Sequence, residues 1–483
     1  MQVSLYGTRD AAQNWAKEYT AFLRGLGFRQ GSSSPCNFVH EACEVHVSVH
    51  GDDFTATGPM EGLNWFNQEM SIKYEVKSEF LGPDAGQSTE VRVLNRVLRW
   101  TEDGVEYEPD QRHAEIIIKS MGVQDSKPSA TPGANEDKDV VNLRSKSKML
   151  VGKEATEYRA LAARLNYLAL DRLDIQYVAK CVSKYMASPC EHDWWALKKV
   201  AKYFVGRPRF VQLFRWQMMP SGLTAYSDSD WAGDRETRKS TSGGMVMLGI
   251  HLIKSWSSTQ QVIALSSGEA ELYALIKATA QAKGIMSTLF DFGHMLKCTV
   301  CTDASAAIGI VHRVGLGRTR HIDVQFLWIQ GEVQSKAVKV VKVGTANNPA
   351  DVLTKNLNAE TMNKHMKATH CRADADRAGK APQLNEMIKF DDYWETKNPE
   401  AGEWKRRHIK TRAALFTPMK VAGGPRNGLA VGEIRVTVGQ YVGGSVFRRV
   451  DLCQNLEDAH SLRPEPWTGH TTFVTAEEYN DRF

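Results

Sequence analysis

The chemistry legible in this chain is carried by carboxylates. Residues 223–232 read LTAYSDSDWA, a short apolar run that ends in Asp228 and Asp230. A carboxylate delivered from the end of a strand suits a hard divalent cation, which wants oxygen ligands held on a rigid element. One such Asp is a weak signal, but further acidic positions follow. Glu269 and Glu271 open a helical segment, Asp303 closes another short apolar run, and Asp351 sits at a helix start. Four converging carboxylates can hold two divalent ions about 3.5–4 Å apart, one activating a water and the other stabilising a leaving oxygen. That displacement requires no covalent enzyme intermediate, so no Ser or Cys nucleophile is needed. A second acidic pair, Asp52-Asp53, lies in the stretch VSVHGDDFTATG.

The elements that must position these groups read as follows. Residues 223–228, 244–250 and 253–257 are strands, the first two joined by a polar turn. Ser266 is an N-cap with Glu269 three residues on, a capping box. Leu272, Leu275, Ile276 and Thr279 give that helix an apolar face. A helical wheel does not decide between Glu269 and Glu271, but the capping role occupies Glu269 and leaves Glu271 free. Residues 298–302 form a strand ending at Asp303, a place where α/β ligand sites gather. Val338, Val340, Val341 and Val343 form the last strand. Asn348 then caps a helix with Pro349 at its first position and Asp351 in its first turn. Three strands, a helix, a strand, a helix, a strand and a helix make an α+β layered unit.

Upstream, residues 11–26 carry helical spacing, with Trp15, Tyr19, Phe22, Leu23 and Leu26 on one face. Val45, Val47 and Val49 alternate with polar residues and lead through Gly51-Asp52-Asp53 into a returning strand, so that both carboxylates stand at a hairpin tip. Residues 113–121 form a helix, and KPSATPG closes that region. Residues 136–157 are charged and aperiodic at first and read as a linker. Residues 158–205 are strongly helical, with a basic face of Lys198, Lys199 and Lys202 on the second helix. Cys298 and Cys301 have no second pair at zinc spacing and are read as strand residues.

SLYGTRDAAQNW, FLRGLGFRQGSSSPCNF and VSVHGDDFTATG together resemble the second half of a copia-type retrotransposon reverse transcriptase. In that family a Y-V-D-D hairpin binds catalytic magnesium. Asp52 and Asp53 stand at its aspartates, while His50 and Gly51 replace Tyr-Val. The family's other metal-binding Asp lies upstream of the LYG helix, before the first residue here, so the expectation is that this chain alone does not polymerise DNA. YRALAARLNYLALDRLDIQYV resembles the family's connector, with Ala163 in place of a Gly. YSDSDWAGD, RKSTSGG, SWSSTQQVIALSSGEAEL, CTDASAAI, RTRHIDV and NPADVLTKNL appear in family order and resemble its ribonuclease H. The resemblance implies Asp228, Glu271, Asp303 and Asp351 as catalytic metal ligands, with Asp230 the alternative to Asp228. It implies two Mg²⁺ ions, with Mn²⁺ able to stand in, and an RNA–DNA hybrid as partner, its 2′-OH read in the minor groove. It also implies that Arg318, Arg320 and His321 contact nucleic acid.

The expected fold is therefore an α+β and α/β multidomain chain. Residues 1–135 would hold a partial reverse transcriptase, a palm hairpin and a following thumb-like segment, 136–157 a linker, 158–217 a helical connector and 222–357 a ribonuclease H-like mixed sheet with flanking helices. Residues 358–483 form an unassigned extension, with a basic run EWKRRHIKTRAALF and an alternating stretch at 435–450. The length of 483 residues fits several domains, and 42% hydrophobic with 24% charged residues fits a soluble globular class. A net charge of +5 permits a nucleic-acid partner without arguing for one. Eight cysteines in so long a chain make no disulfide framework, so a reducing, cytoplasmic or nuclear setting is expected. There is no apolar run of membrane-spanning length and no signal-peptide pattern at the start. No small-molecule cofactor is expected, and the oligomeric state is not legible. Two other readings are a nucleic-acid-binding relic without turnover and a polymerase completed by an upstream part.

Overall fold

Alternation of side chains decides the architecture around the acidic run. In the computed structural model, which describes residues 9–134, 140–317, 321–384 and the strands Ala413–Phe416 and Arg435–Gly439, the strand Thr241–Leu248 is buried at every position. Val246 and Leu248 enter one apolar cluster, Met245 and Met247 another. A strand reads as continuously buried only when both faces of its sheet are covered. This strand pairs antiparallel with Gly222–Asp230 and with His251–Thr259. Lys297–Thr302 and Val338–Lys342 add in parallel on the other side of Gly222–Asp230, which is therefore central. Parallel neighbours need crossovers. The helix Ser267–Asp291 supplies the first, and Ser305–His312 with Trp328–Gln334 supply the second. The strand and helix order read from the sequence is the order observed, except that a second helix, Trp328–Gln334, follows Ser305–His312, and the segment capped by Asn348 is a short 3₁₀ turn, Pro349–Leu353, rather than a helix.

One face of this sheet packs on the long helix. Leu272, Leu275, Ile276, Ala278 and Ala282 meet Leu223, Ala225, Val246, Val300 and Val340. Each fully buried Leu contributes roughly 1.5–3 kcal/mol. The other face is covered by the connector helices Gly152–Ala169, Gln176–Ser183 and Glu191–Gly206, through Met245, Met247 and Leu252. Within that cluster Arg172 and Asp174 form an ion pair with no solvent exposure of either side chain. Arg172 donates through Nε (3.1 Å) and Nη2 (2.7 Å) to Asp174, and also to the carbonyls of Pro208 and Arg207 (both 3.1 Å). Tyr203 donates its hydroxyl to Asp174 at 2.7 Å.

The stretch read as a linker contains a helix, Val140–Lys146. One of its charges is paired rather than solvated: Arg144 donates to both oxygens of Asp193 and stacks 3.6 Å from the Tyr185 ring centroid. A further sheet is built from distant segments: Glu90–Val93, Arg96–Thr101, Gly104–Glu108, Arg209–Arg215 and Cys371–Asp374, all antiparallel. The buried Glu108 accepts from Arg99 and, through both oxygens, from Arg209, 101 positions away. Glu106 takes Arg99 and Arg372. Residues 90–108 are thus tied to the connector's last strand and to residues 371–374, not only to the hairpin unit before them.

In that N-terminal unit the helix Arg9–Gly25 lies against the hairpin Val45–His50 and Asp53–Thr57. His50 pairs with Asp53, which leaves Gly51-Asp52 as a two-residue loop. Gly51 has φ +64° at the first central position, as a type II′ turn requires. Trp15 donates Nε1 to the Gly51 carbonyl at 2.7 Å and packs edge-on against Phe54 and Tyr19, which fixes the tip. The same unit grips the far end of the long helix. Asp291 accepts the backbone N–H of Ser32 (2.9 Å) and Ser33 (2.8 Å) and both their hydroxyls, and its carbonyl accepts from Arg29. These donors hold the Asp291 carboxyl well below the usual range despite its burial.

Ala413–Phe416 and Arg435–Gly439 run beside Asp53–Thr57 and Glu75–Leu81. The remainder of the basic run and of the 435–450 stretch lies outside the described residues. Among those described, no helix is long and apolar enough to cross a membrane.

Candidate metal centre

Asp228 lies two residues before the end of the central strand and is 4% exposed. Its parallel neighbour pairs Cys301 with Tyr226, so continuing the register by two residues sets Asp303 beside Asp228. Glu271 projects from the first turns of the helix Ser267–Asp291 and accepts the Ser229 N–H through Oε1 at 3.1 Å. Asp228, Glu271 and Asp303 each offer an oxygen, and the three oxygens lie within 4.8 Å of one another.

A fourth segment closes on this group. Asn348 accepts the Ala350 N–H at 3.2 Å as a cap and donates Nδ2 to the Ser227 carbonyl at 2.9 Å, which pins Pro349–Leu353 to the central strand. The Thr354 hydroxyl then donates to Asp228 Oδ2. Gly243, directly opposite Asp228, makes the approach possible: a Cβ there would stand 2.6 Å from Thr354 Cγ2 and 2.8 Å from Leu353 Cβ. Asp351 lies beside the group but outside it. Its Oδ2 meets Lys355 Nζ at 3.0 Å, and its Oδ1 is sealed from solvent without a partner. Glu271 Oε2 is likewise sealed and unpartnered.

Burial pushes the Asp228 carboxyl up to about 7, opposed by the Thr354 hydroxyl and reinforced by the charges of Asp351 and Asp303. Burial, with the charges of Asp228 and Asp303, pushes Glu271 up to about 9 against the Ser229 N–H. Crowded carboxylates resist ionisation together unless a cation joins them. An all-oxygen set with two orphaned oxygens fits a hard divalent ion such as Mg²⁺ or Mn²⁺.

The pH dependence follows. Both folded carboxyls hold their protons to higher pH than in the unfolded chain, so the metal-free fold binds more protons between about pH 4 and 9. Its stability from these groups is full below the unfolded carboxylate range and falls as pH rises. A divalent ion relieves that loss. The Mg²⁺-induced rise in Tm is therefore expected to be larger at pH 8.5 than at pH 6, and an equal rise at both would contradict this electrostatic picture.

Other residues singled out by sequence are placed as follows. Ser266 caps the long helix, accepting the Glu269 N–H at 3.2 Å. Glu269 reaches back to the Leu265 N–H rather than to Ser266, and also accepts from Tyr273 (2.7 Å) and bonds His321 Nε2 (2.9 Å). It is saturated, away from the three-carboxylate group. Asp230 also lies outside that group, tucked beneath Gly233. His321 is held at the helix start, whereas Arg318 and Arg320 lie outside the described residues. Asp52 and Asp53 stand at the hairpin tip, and among the described residues no third His, Cys, Asp or Glu joins them in such a cluster. Sequence reading missed Thr354 and Lys355. Their spacing of three and four from Asp351, the neighbour spacing of one helical turn, is the signal that could have found them.

No protein-family model matches the chain. By sequence it is similar to a retrovirus-related Pol polyprotein from transposon RE2 of Arabidopsis thaliana, 32% identical over 369 residues. That alignment covers 74% of this chain and 24% of the relative, so the chain spans about a quarter of the relative's length. It is 34% identical over 241 residues to the uncharacterized mitochondrial protein AtMg00810 of the same plant, covering 49% of this chain and 92% of that one. Among solved structures, LC11-RNase H1 isolated from compost is matched over 30% of this chain and 99% of its own at 16% identity, with a TM-score of 0.22.

Proposed function

This chain belongs to the copia-type retrotransposon Pol polyproteins, and we propose from that premise that its residues 222–357 hydrolyse the RNA strand of RNA–DNA hybrids. The observation that carries the reading is the convergence of Asp228, Glu271 and Asp303, from two parallel strands and the helix beside them, into one acidic group. These three residues would hold Mg²⁺ or Mn²⁺, with Asp351 adjacent. Such an ion supplies activation of water and neutralisation of charge developing at the phosphate.

The chain's own groups do the positioning. The Ser229 N–H turns Glu271 so that Oε2 is the oxygen left over. The Thr354 hydroxyl occupies one oxygen of Asp228. Asn348 holds the turn that carries Thr354 against the central strand. Enclosure of these carboxylates keeps water from screening them, so their charge acts at full effect on a bound cation, which in turn would attract the phosphate. The target would be the strand whose 2′-OH is presented in the minor groove of the hybrid. No polymerase chemistry is assigned to Asp52 and Asp53.

The test is cleavage of a labelled RNA annealed to DNA by the full chain. We expect cutting with Mg²⁺, none with a chelator, and no cutting of the same RNA alone or of a DNA–DNA duplex of the same sequence. An intact hybrid after incubation with Mg²⁺ and Mn²⁺ in turn would defeat the reading and favour a nucleic-acid-binding relic.

A further inference from the structure

We infer that Lys355 is a resident counter-cation for Asp351, and that its ammonium must leave before a second divalent ion can bind. The inference rests on the metal-dependent reading above and goes beyond it. Three carboxylates converge, yet the fourth acidic side chain does not join them. Asp351 is 8% exposed, and its Oδ1 is buried without any partner while its Oδ2 meets Lys355 Nζ at 3.0 Å. A carboxylate so enclosed, with one oxygen unclaimed, has room in its bonding for another cation. Lys355 neutralises it meanwhile.

Two features make the ammonium a movable stand-in rather than a fixed strut. The Lys355 side chain is 45% exposed, so its flexible stem has an outward path to water. Its neighbour Thr354, by contrast, is fully buried and tied to Asp228. The turn therefore holds Asp351 in place whether or not Lys355 is present. Asp228 and Asp303 also feel the Lys355 charge, so one ammonium weakens the attraction of the whole group for a second ion.

Calorimetric titration of the full chain with Mn²⁺, without nucleic acid, tests this apart from turnover. Wild type is expected to take one ion and to bind a second at least about tenfold more weakly. Lys355→Met keeps the stem and removes the charge, and should tighten the second event about tenfold while changing the first less. Lys355→Arg should stay near wild type. Two equal ions in wild type, or an unchanged second event in Lys355→Met, would overturn the inference while leaving the proposed nuclease standing. A wild-type chain that binds no divalent ion would sink both.

Discussion

Asp303→Asn is expected to lower hybrid cleavage at least ~10³-fold without loss of the fold. Asp303 follows the last residue of a parallel strand and is the least buried of the three clustered carboxylates. The amide keeps the volume and removes the charge. Deleting one electrostatic stabiliser from a preorganised site costs about 10²–10³ in kcat, and losing an anionic ligand should fall at or beyond the upper end. Asp230→Asn is the matched control. It changes a carboxylate two residues from Asp228 that lies outside the group, and cleavage should remain within a few-fold of wild type. A fully active Asp303→Asn chain, or equal inactivity of Asp230→Asn, would refute the assignment. Thermal melts of both variants separate lost chemistry from lost structure.

The largest stability effect is expected at Arg172. Arg172→Ala should destabilise the connector core by roughly 3–5 kcal/mol, because it strands an ionised partner inside the protein. Asp174 would keep only the Tyr203 hydroxyl, and the carbonyls of Pro208 and Arg207 would lose their donor. Desolvation already pushes the Tyr203 hydroxyl far upward, with the Asp174 charge next, a sign of how little water reaches this place. The exposed pair Lys73–Glu18, with both side chains 45% exposed, is the contrast: Lys73→Ala should cost no more than about 1 kcal/mol. Urea titration followed by tryptophan fluorescence reads both. A shift below about 1 kcal/mol for Arg172→Ala would show that the interior relaxes around the gap.

What the sequence made legible is local periodicity. The short apolar runs at 223–228 and 244–250, and the Leu272–Leu275–Ile276 face, are short-range signals, and strands and a helix stand there, the second strand running Thr241–Leu248 with Gly249 and Ile250 in the turn after it. Glu271 could be preferred over Glu269 because a cap occupies one of them, and the structure gives Glu269 further reasons to stay away. What resisted reading is pairing at a distance. Glu108 and Arg209 look like solvated charges until strands far apart in the chain align them. Arg144 looks like linker charge until Asp193 receives it. Asp351 looks like an equal fourth ligand: the spacing to Lys355 hints that the ammonium can claim one oxygen, but nothing local shows that burial will seal the other.

The sheet assembled from separated segments bears on how the molecule is made. Arg209–Arg215 is made before its neighbour Cys371–Asp374, which is translated only after the entire acidic unit between them. At roughly 5–20 residues per second the nascent strand waits on the order of ten seconds with one edge unmatched. An open edge of that kind invites pairing with other polypeptides. Chains that terminate just short of residue 371 are therefore expected to aggregate more than the full chain, which a sedimentation comparison of the two would check.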